Sequence, residues 1–210
     1  MLANDPLAQV LYIDLSHRSF AIKPRPELFE AGLGGSGVGI RLLEEECPPG
    51  TDPLSPGNPI ILAVGPLTGL FPLASKTVAM FKSPHTGNLG ESHAGGRSAI
   101  AIRMAGYGAI VVRGASTSPV YVVVEGQQVH FRDARALWGT RSAYTTGSVL
   151  REREKGAGVR SIMRIGRAGE VGVSYASVIS ETYRHFGRLG LGAVFGSKKL
   201  KGMVVSGQRS

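Results

Sequence analysis

A chain of 210 residues can bury one sizeable core, and 42% hydrophobic with 19% charged residues is the composition of a folded globular protein, which excludes a disordered or fibrous chain. The formal charge of +9 favours an anionic partner, although charge alone does not choose between phosphates, nucleic acid and acidic protein surfaces. The single cysteine, Cys47, excludes an internal disulfide and cannot by itself hold an iron-sulfur cluster or a structural zinc.

In chain order, residues 9–23 read as a hairpin, with LYIDL and SFAIK as short alternating runs separated by Ser16, His17 and Arg18. After Pro24 and Pro26 a short helical pattern leads into GLGGSGVGIRLLEEE. This reads as a glycine-rich loop followed by a helix with Ile40, Leu42 and Leu43 on its apolar side, stopping before Pro48. IILAVG, ending at Gly65, has the length and branching of a buried strand, and KTVAMFKS is a second. GAIVVRG and PVYVVVEG are strong strand patterns, and QVHFRD continues their sheet across a Gly126-Gln127 turn. Between Ala136 and Lys155 the spacing of Leu137, Trp138, Tyr144, Val149 and Leu150 suits one amphipathic helix, with REREK as a solvated face. VRSIMRIG and VSYASVIS return to strand character, and a glycine-rich loop, a short helix and the strand GMVVSG close the chain.

Two stretches repeat one order of elements. AVGPLTG and RIGRAG are each a strand ending in a glycine-bracketed turn, each followed by a strand, a glycine-rich loop, a short helix and a closing strand. The expectation is an α+β fold in which residues 1–210 form a single domain of two pseudo-repeated sheet-and-helix halves, at about 60–114 and 160–207.

Glycine-rich loops that open helices suit phosphate, because bare backbone amides and the helix N-terminus both favour an anion. GLGGSGVG, HAGGR and GRLGLG qualify, but none matches the Walker or dinucleotide pattern, and a tight turn is the competing explanation for each. Taken by themselves, Lys76, Lys82, Arg97 and Arg188 read as ordinary solvated charges. His85, His93, His130 and His185 lack a local metal-binding spacing, so no metal site is expected from them. Trp138 reads as a core anchor, and Asp133 as a member of a turn pair; no catalytic residue can be named from order alone.

GPLTG, KSPHTG, AGG, AGYGAIVVRG, PVYVVV, RDARALWG and GLGAVFGSKKLKGMVV, in this order and spacing, resemble the N-terminal domain of the aldehyde ferredoxin oxidoreductase family over nearly the whole chain. The resemblance implies two similar halves whose inner surface covers a tungsten or molybdenum bis-pyranopterin, its phosphates bridged by magnesium. It also implies a partner chain, like the family's C-terminal domains, that carries the iron-sulfur ligands and passes electrons to a ferredoxin-like carrier. Carried over by position, the cofactor-binding residues are Lys76, His93, Gly95, Gly96, Arg184, His185, Gly187, Arg188 and Gly190. Lys76 stands where the family usually has arginine, His93 where it commonly has asparagine, and His185 and Phe186 where it has small residues.

These readings lead to a cofactor-binding domain or subunit of an aldehyde-oxidising enzyme, inactive without its partner. The rival is a binding or assembly module that has kept the fold and lost the metal. Nucleic-acid binding is not expected, since the basic residues are scattered and no recognised motif is present. With no apolar run long enough to span a bilayer, membrane insertion is not expected either; the chain reads as cytoplasmic, and its oligomeric state is left open.

Overall fold

A computed structural model describes residues 6–208 of the chain. Strands β1 (Gln9–Asp14) and β2 (Ser19–Pro24) form the expected hairpin, paired antiparallel from Gln9↔Pro24 to Asp14↔Ser19. Helix α1 (Pro26–Gly32) opens on a proline, whose missing N–H costs nothing at a helix start, and ends at Leu33 in the left-handed conformation. Helix α2 (Gly35–Glu46), strands β3 (Ile60–Ala63), β4 (Thr77–Lys82) and β5 (Leu89–Ala94), helix α3 (Ser98–Ala105) and strand β6 (Ala109–Arg113) follow. Their sheet has the order β2-β1-β6-β3-β4-β5, with β1 and β6 parallel and the other neighbours antiparallel.

The second set comprises β7 (Val120–Glu125), β8 (Gln128–Asp133), α4 (Ala143–Arg153), β9 (Val159–Arg164), α5 (Arg167–Glu170), β10 (Val178–Ser180), β11 (Arg184–Phe186), α6 (Leu191–Ser197) and β12 (Leu200–Gly207). Its sheet reads β8-β7-β12-β9-β10-β11, again with one parallel pair, β7 with β12. Strand for strand the two orders and pairing senses coincide, and α3 and α6 occupy the same place before the last strand of each set. The fold is therefore α+β with internally duplicated halves, and the correspondence takes in the hairpins β1–β2 and β7–β8 as well.

Apolar packing explains the layering. On β6, Ile110 and Val112 join a central core while Ala109 and Val111 face a second core beneath α1 and α2. On β7, Val122 and Val124 enter the central core while Tyr121 and Val123 pack beneath α4. Strands covered on both faces need no polar alternation, which is why they read as unbroken apolar runs. Helices α3 and α6 add Ile102, Leu191, Val194 and Phe195 to the central core. Each such fully buried side chain contributes roughly 1.5–3 kcal/mol of transfer free energy.

Several expected elements differ in detail. Gly35 to Gly39 already lie inside α2, so the first glycine-rich segment is a helix start more than a loop. Strand β5 was not anticipated, because LGESHA is polar; as a sheet edge it pairs with β4 alone and turns alternate residues outward. The single helix expected over 136–155 is broken into a 3-10 turn, Arg135–Leu137, and α4. Gly139, at φ 83°, ends the first piece and donates its N–H to Glu170 Oε2 (2.9 Å), and Ser142 Oγ caps the second by accepting the Tyr144 N–H. VSYASVIS is extended only at Val178–Ser180, and the GRAG turn is the short helix α5. Trp138 is half-buried against the central core.

Candidate cofactor site

Strands β5 and β11 each form one edge of their sheet, and they lie against each other. Two hydrogen bonds fasten the junction: the Arg188 N–H donates to Ser92 Oγ (3.1 Å), and the Ser83 hydroxyl donates to the Leu189 carbonyl (2.8 Å). A Cβ placed on Gly96 would stand 3.3 Å from Arg184 Cγ. The second and third glycine-rich segments are thus neighbours in space. The first joins them through Ser36, in the opening turn of α2, whose hydroxyl donates to Glu91 Oε1 on β5 (2.7 Å).

Lys76 is exposed and immediately precedes Thr77, which pairs with Ala94, so it stands at the end of β4 that adjoins Gly95. His93 is exposed on β5, its Nε2 2.9 Å from Glu91 Oε1. Arg184 and His185 are exposed on β11, and Arg188 is exposed just beyond it. Among the described residues Lys76, Arg184 and Arg188 form no ion pair. Phe186, by contrast, is buried in the central core, so its bulk is turned away from the exposed face.

The glycines divide into two kinds. A Cβ at Gly95 would meet nothing within 4 Å, and one at Gly187 only His185 Cβ at 3.9 Å. Their backbones face open space, as close approach by a flat or anionic group requires. Gly96, at φ 101°, adopts a conformation that side chains resist. Gly190 is different: it is buried at φ 86°, and a Cβ there would collide with the Ser174 carbonyl and Pro84. Its lack of a side chain serves the packing of the start of α6 against the loop between α5 and β10 and against Pro84 in the β4–β5 turn.

Glu91 was not among the sequence candidates, although its two-residue spacing from His93 on a strand puts both side chains on one face. The Ser36 hydroxyl foremost, then His93 and the Arg188 charge, hold its carboxyl below the usual range against the opposing effect of partial burial. Glu91 therefore sets a negative charge beside the cations. Beyond Gly96 and Arg184 opens a cleft of about 850 Å³ lined also by Arg151 and Lys155. The REREK run thus lines a concavity at two positions and does not face only bulk water.

The family model described as the aldehyde ferredoxin oxidoreductase N-terminal domain matches residues 10–207. A tungsten-containing aldehyde ferredoxin oxidoreductase of Pyrococcus furiosus is 39% identical over 185 residues, which is 88% of this chain and 30% of that protein. The protein of the same name from Thermococcus kodakarensis is 40% identical over 87% of this chain and 30% of its own length. The WOR-like subunit of an aliphatic sulfonate oxidoreductase of Pyrococcus furiosus is 30% identical over 95% of the chain. Among solved structures, a chain of the active-site complex BamBC of benzoyl coenzyme A reductase, in complex with 1,5 dienoyl-CoA, superposes with a TM-score of 0.93 at 33% identity. That match covers 100% of this chain and 32% of the other. The chain thus spans about a third of the length of the relatives it matches. With this match running over both sheets and the junction between them, the chain belongs to the aldehyde ferredoxin oxidoreductase N-terminal domain family.

Proposed function

We propose that this domain, a single unit of two pseudo-repeated halves, binds a tungsten or molybdenum bis-pyranopterin and completes an oxidoreductase active site with a partner polypeptide or domain. The observation that carries the reading is the β5–β11 junction. Three cations without an ion pair among the described residues, Lys76, Arg184 and Arg188, stand beside two glycines, Gly95 and Gly187, whose backbones face open space. Arginine forks and bare amides suit phosphate and flat polar rings. His93 and His185, both exposed at the junction, would help hold the group and its magnesium, and Gly96, at φ 101°, supplies the backbone turn beside them. Once bound, the group supplies the redox chemistry, and this chain's residues hold and orient it.

The partner would be the remaining two thirds of the relatives' architecture, carrying iron-sulfur ligands and relaying electrons to a ferredoxin-like carrier. An aldehyde is the substrate class suggested by the names of the relatives. Among the described residues no helix is long and apolar enough to cross a membrane. A second reading, a non-catalytic module that has lost the metal, draws on Glu91, whose carboxylate places negative charge where the phosphates would lie. Tungsten, molybdenum and pterin content of the protein purified with its native partner separates the two. Stoichiometric metal and pterin support the first reading, and a folded complex holding neither supports the second.

A further inference from the structure

Between the start of α3, the end of α4, the turn into β9 and the β10–β11 connection lies the cleft of about 850 Å³ that adjoins the junction. Its lining includes five cations, Arg97, Arg151, Lys155, Arg160 and Arg184, against one carboxylate, Glu181. Arg97, Arg151, Lys155 and Arg184 are exposed, and among the described residues none of them is ion-paired. Arg160 is held by the Glu154 carbonyl, and the Glu181 carboxylate accepts the Ile162 N–H (3.1 Å). Like charges gathered around one concavity repel each other, and low-dielectric walls focus their field on whatever enters.

The local backbone makes this arrangement. Gly156 and Gly158 both have positive φ, 31° and 73°, and a Cβ at either would collide with Ser206 or the Gly207 carbonyl. The turn bearing Lys155 and Arg160 is therefore pressed onto β12, and its cations are delivered to the cleft wall. Topology alone does not dictate the charge. In the first half, the C-terminal end of α2 and the β4–β5 turn also bound a cleft, of about 400 Å³, but there the charged lining is balanced between Glu44 and Lys82. The same scaffold has made a neutral concavity once and a cationic one once.

We propose that the cationic cleft binds a multiply phosphorylated small molecule. Its phosphates would lie among Arg97, Arg151, Lys155 and Arg184, and an aromatic or apolar body would lie on Tyr183 and Ile100. Guanidinium forks match phosphate oxygens in pairs, and Tyr183, 82% exposed on the lining, offers a flat face for a ring. The cations line one open concavity from several sides and do not run along a flat surface, which fits a compact ligand better than a polymer. Gly96 and Arg184 are common to this cleft and the bis-pterin set, whereas Arg151 and Lys155 belong to the cleft alone, and the inference rests on those two.

The test is calorimetric titration of the full 210-residue chain with inorganic tripolyphosphate and with ATP, with folding checked by circular dichroism. The expected result is one saturable site, weakened by salt. Binding should fall roughly tenfold or more in the Arg151→Ala/Lys155→Ala double variant and stay unchanged in Arg132→Ala. ATP should bind more tightly than tripolyphosphate, and Tyr183→Ala should remove that difference. Equal affinity in the double variant, no saturable binding, or tighter binding of a polyglutamate peptide would overturn the proposal, the last by marking a protein interface. Failure of the bis-pterin reading would appear instead in the metal content of Arg188→Ala, outside this cleft.

Discussion

The backbone N–H of Arg188 donates to the hydroxyl of Ser92, 3.1 Å away and 96 residues earlier, and so ties the loop after β11 to the edge strand of the other sheet. Ser92 is fully buried. Ser92→Ala removes the acceptor and leaves a partly buried donor without its partner, so it should destabilise the domain by about 1–3 kcal/mol in urea unfolding. Because the same bond positions Arg188, cofactor retention should fall together with stability.

Gly95→Ala should separate folding from binding. The new methyl would project into open space and the residue is not in the left-handed region, so stability should change by less than about 1 kcal/mol. Retention of the cofactor by the assembled protein should nevertheless drop, since the methyl occupies the direction from which a ring would approach the backbone. Gly190→Ala should behave in the opposite way, with the loss appearing first in the thermal unfolding midpoint.

Lys201 and Glu170 form a buried ion pair that joins β12 to α5, and Glu170 Oε2 also accepts the Gly139 N–H that ends the 3-10 turn. Glu170→Gln leaves a buried ammonium uncompensated and should cost about 3–5 kcal/mol, measured by denaturant unfolding. Lys201→Met combined with Glu170→Gln should recover most of that loss.

Lys198 is buried, with its Nζ donating to the carbonyls of Gly114 (2.8 Å) and Pro56 (3.1 Å). Burial pushes its ammonium down from 10.5 to about 8. The unfolded chain therefore binds more protons between about pH 8 and 10.5, and stability rises with pH across that window. Below about pH 8 the charged form carries its full cost, on the order of 3 kcal/mol. Lys198→Met should flatten the wild-type rise in unfolding free energy between pH 8 and 10.5; an unchanged slope would place the titration elsewhere.

The hairpin β1–β2, the buried strands β3, β6 and β7, and the two-halved plan were legible because apolar periodicity and glycine punctuation report directly on burial and turns. Strand β5 was not, since an edge strand turns half its residues to water and reads as a polar loop. The break at Gly139 lay hidden because Leu137, Trp138 and Tyr144 keep a helical spacing across it, and the partner of the Gly139 N–H is 31 residues away. At the candidate site the sequence supplied the glycines and cations but not their grouping. Glu91 is held by Ser36, 55 residues earlier, and the cleft wall at Arg151 faces Gly96 and Arg97 of the first half; no local pattern encodes those contacts.

The most direct test of the account is the metal and pterin content of the assembled protein, purified with its native partner, as wild type, Arg188→Ala and Arg132→Ala. Arg132 is exposed on β8, at the far edge of the second sheet from β11, and lies outside both the junction and the cleft lining, which suits it as the control. The account predicts that Arg132→Ala keeps the wild-type content. It predicts that Arg188→Ala, having lost a charge-assisted contact worth roughly 1.5–3 kcal/mol, retains the cofactor roughly ten- to a hundredfold more weakly. Equal content in both folded variants would contradict it and leave the cations of the β5–β11 junction without a cofactor to explain them.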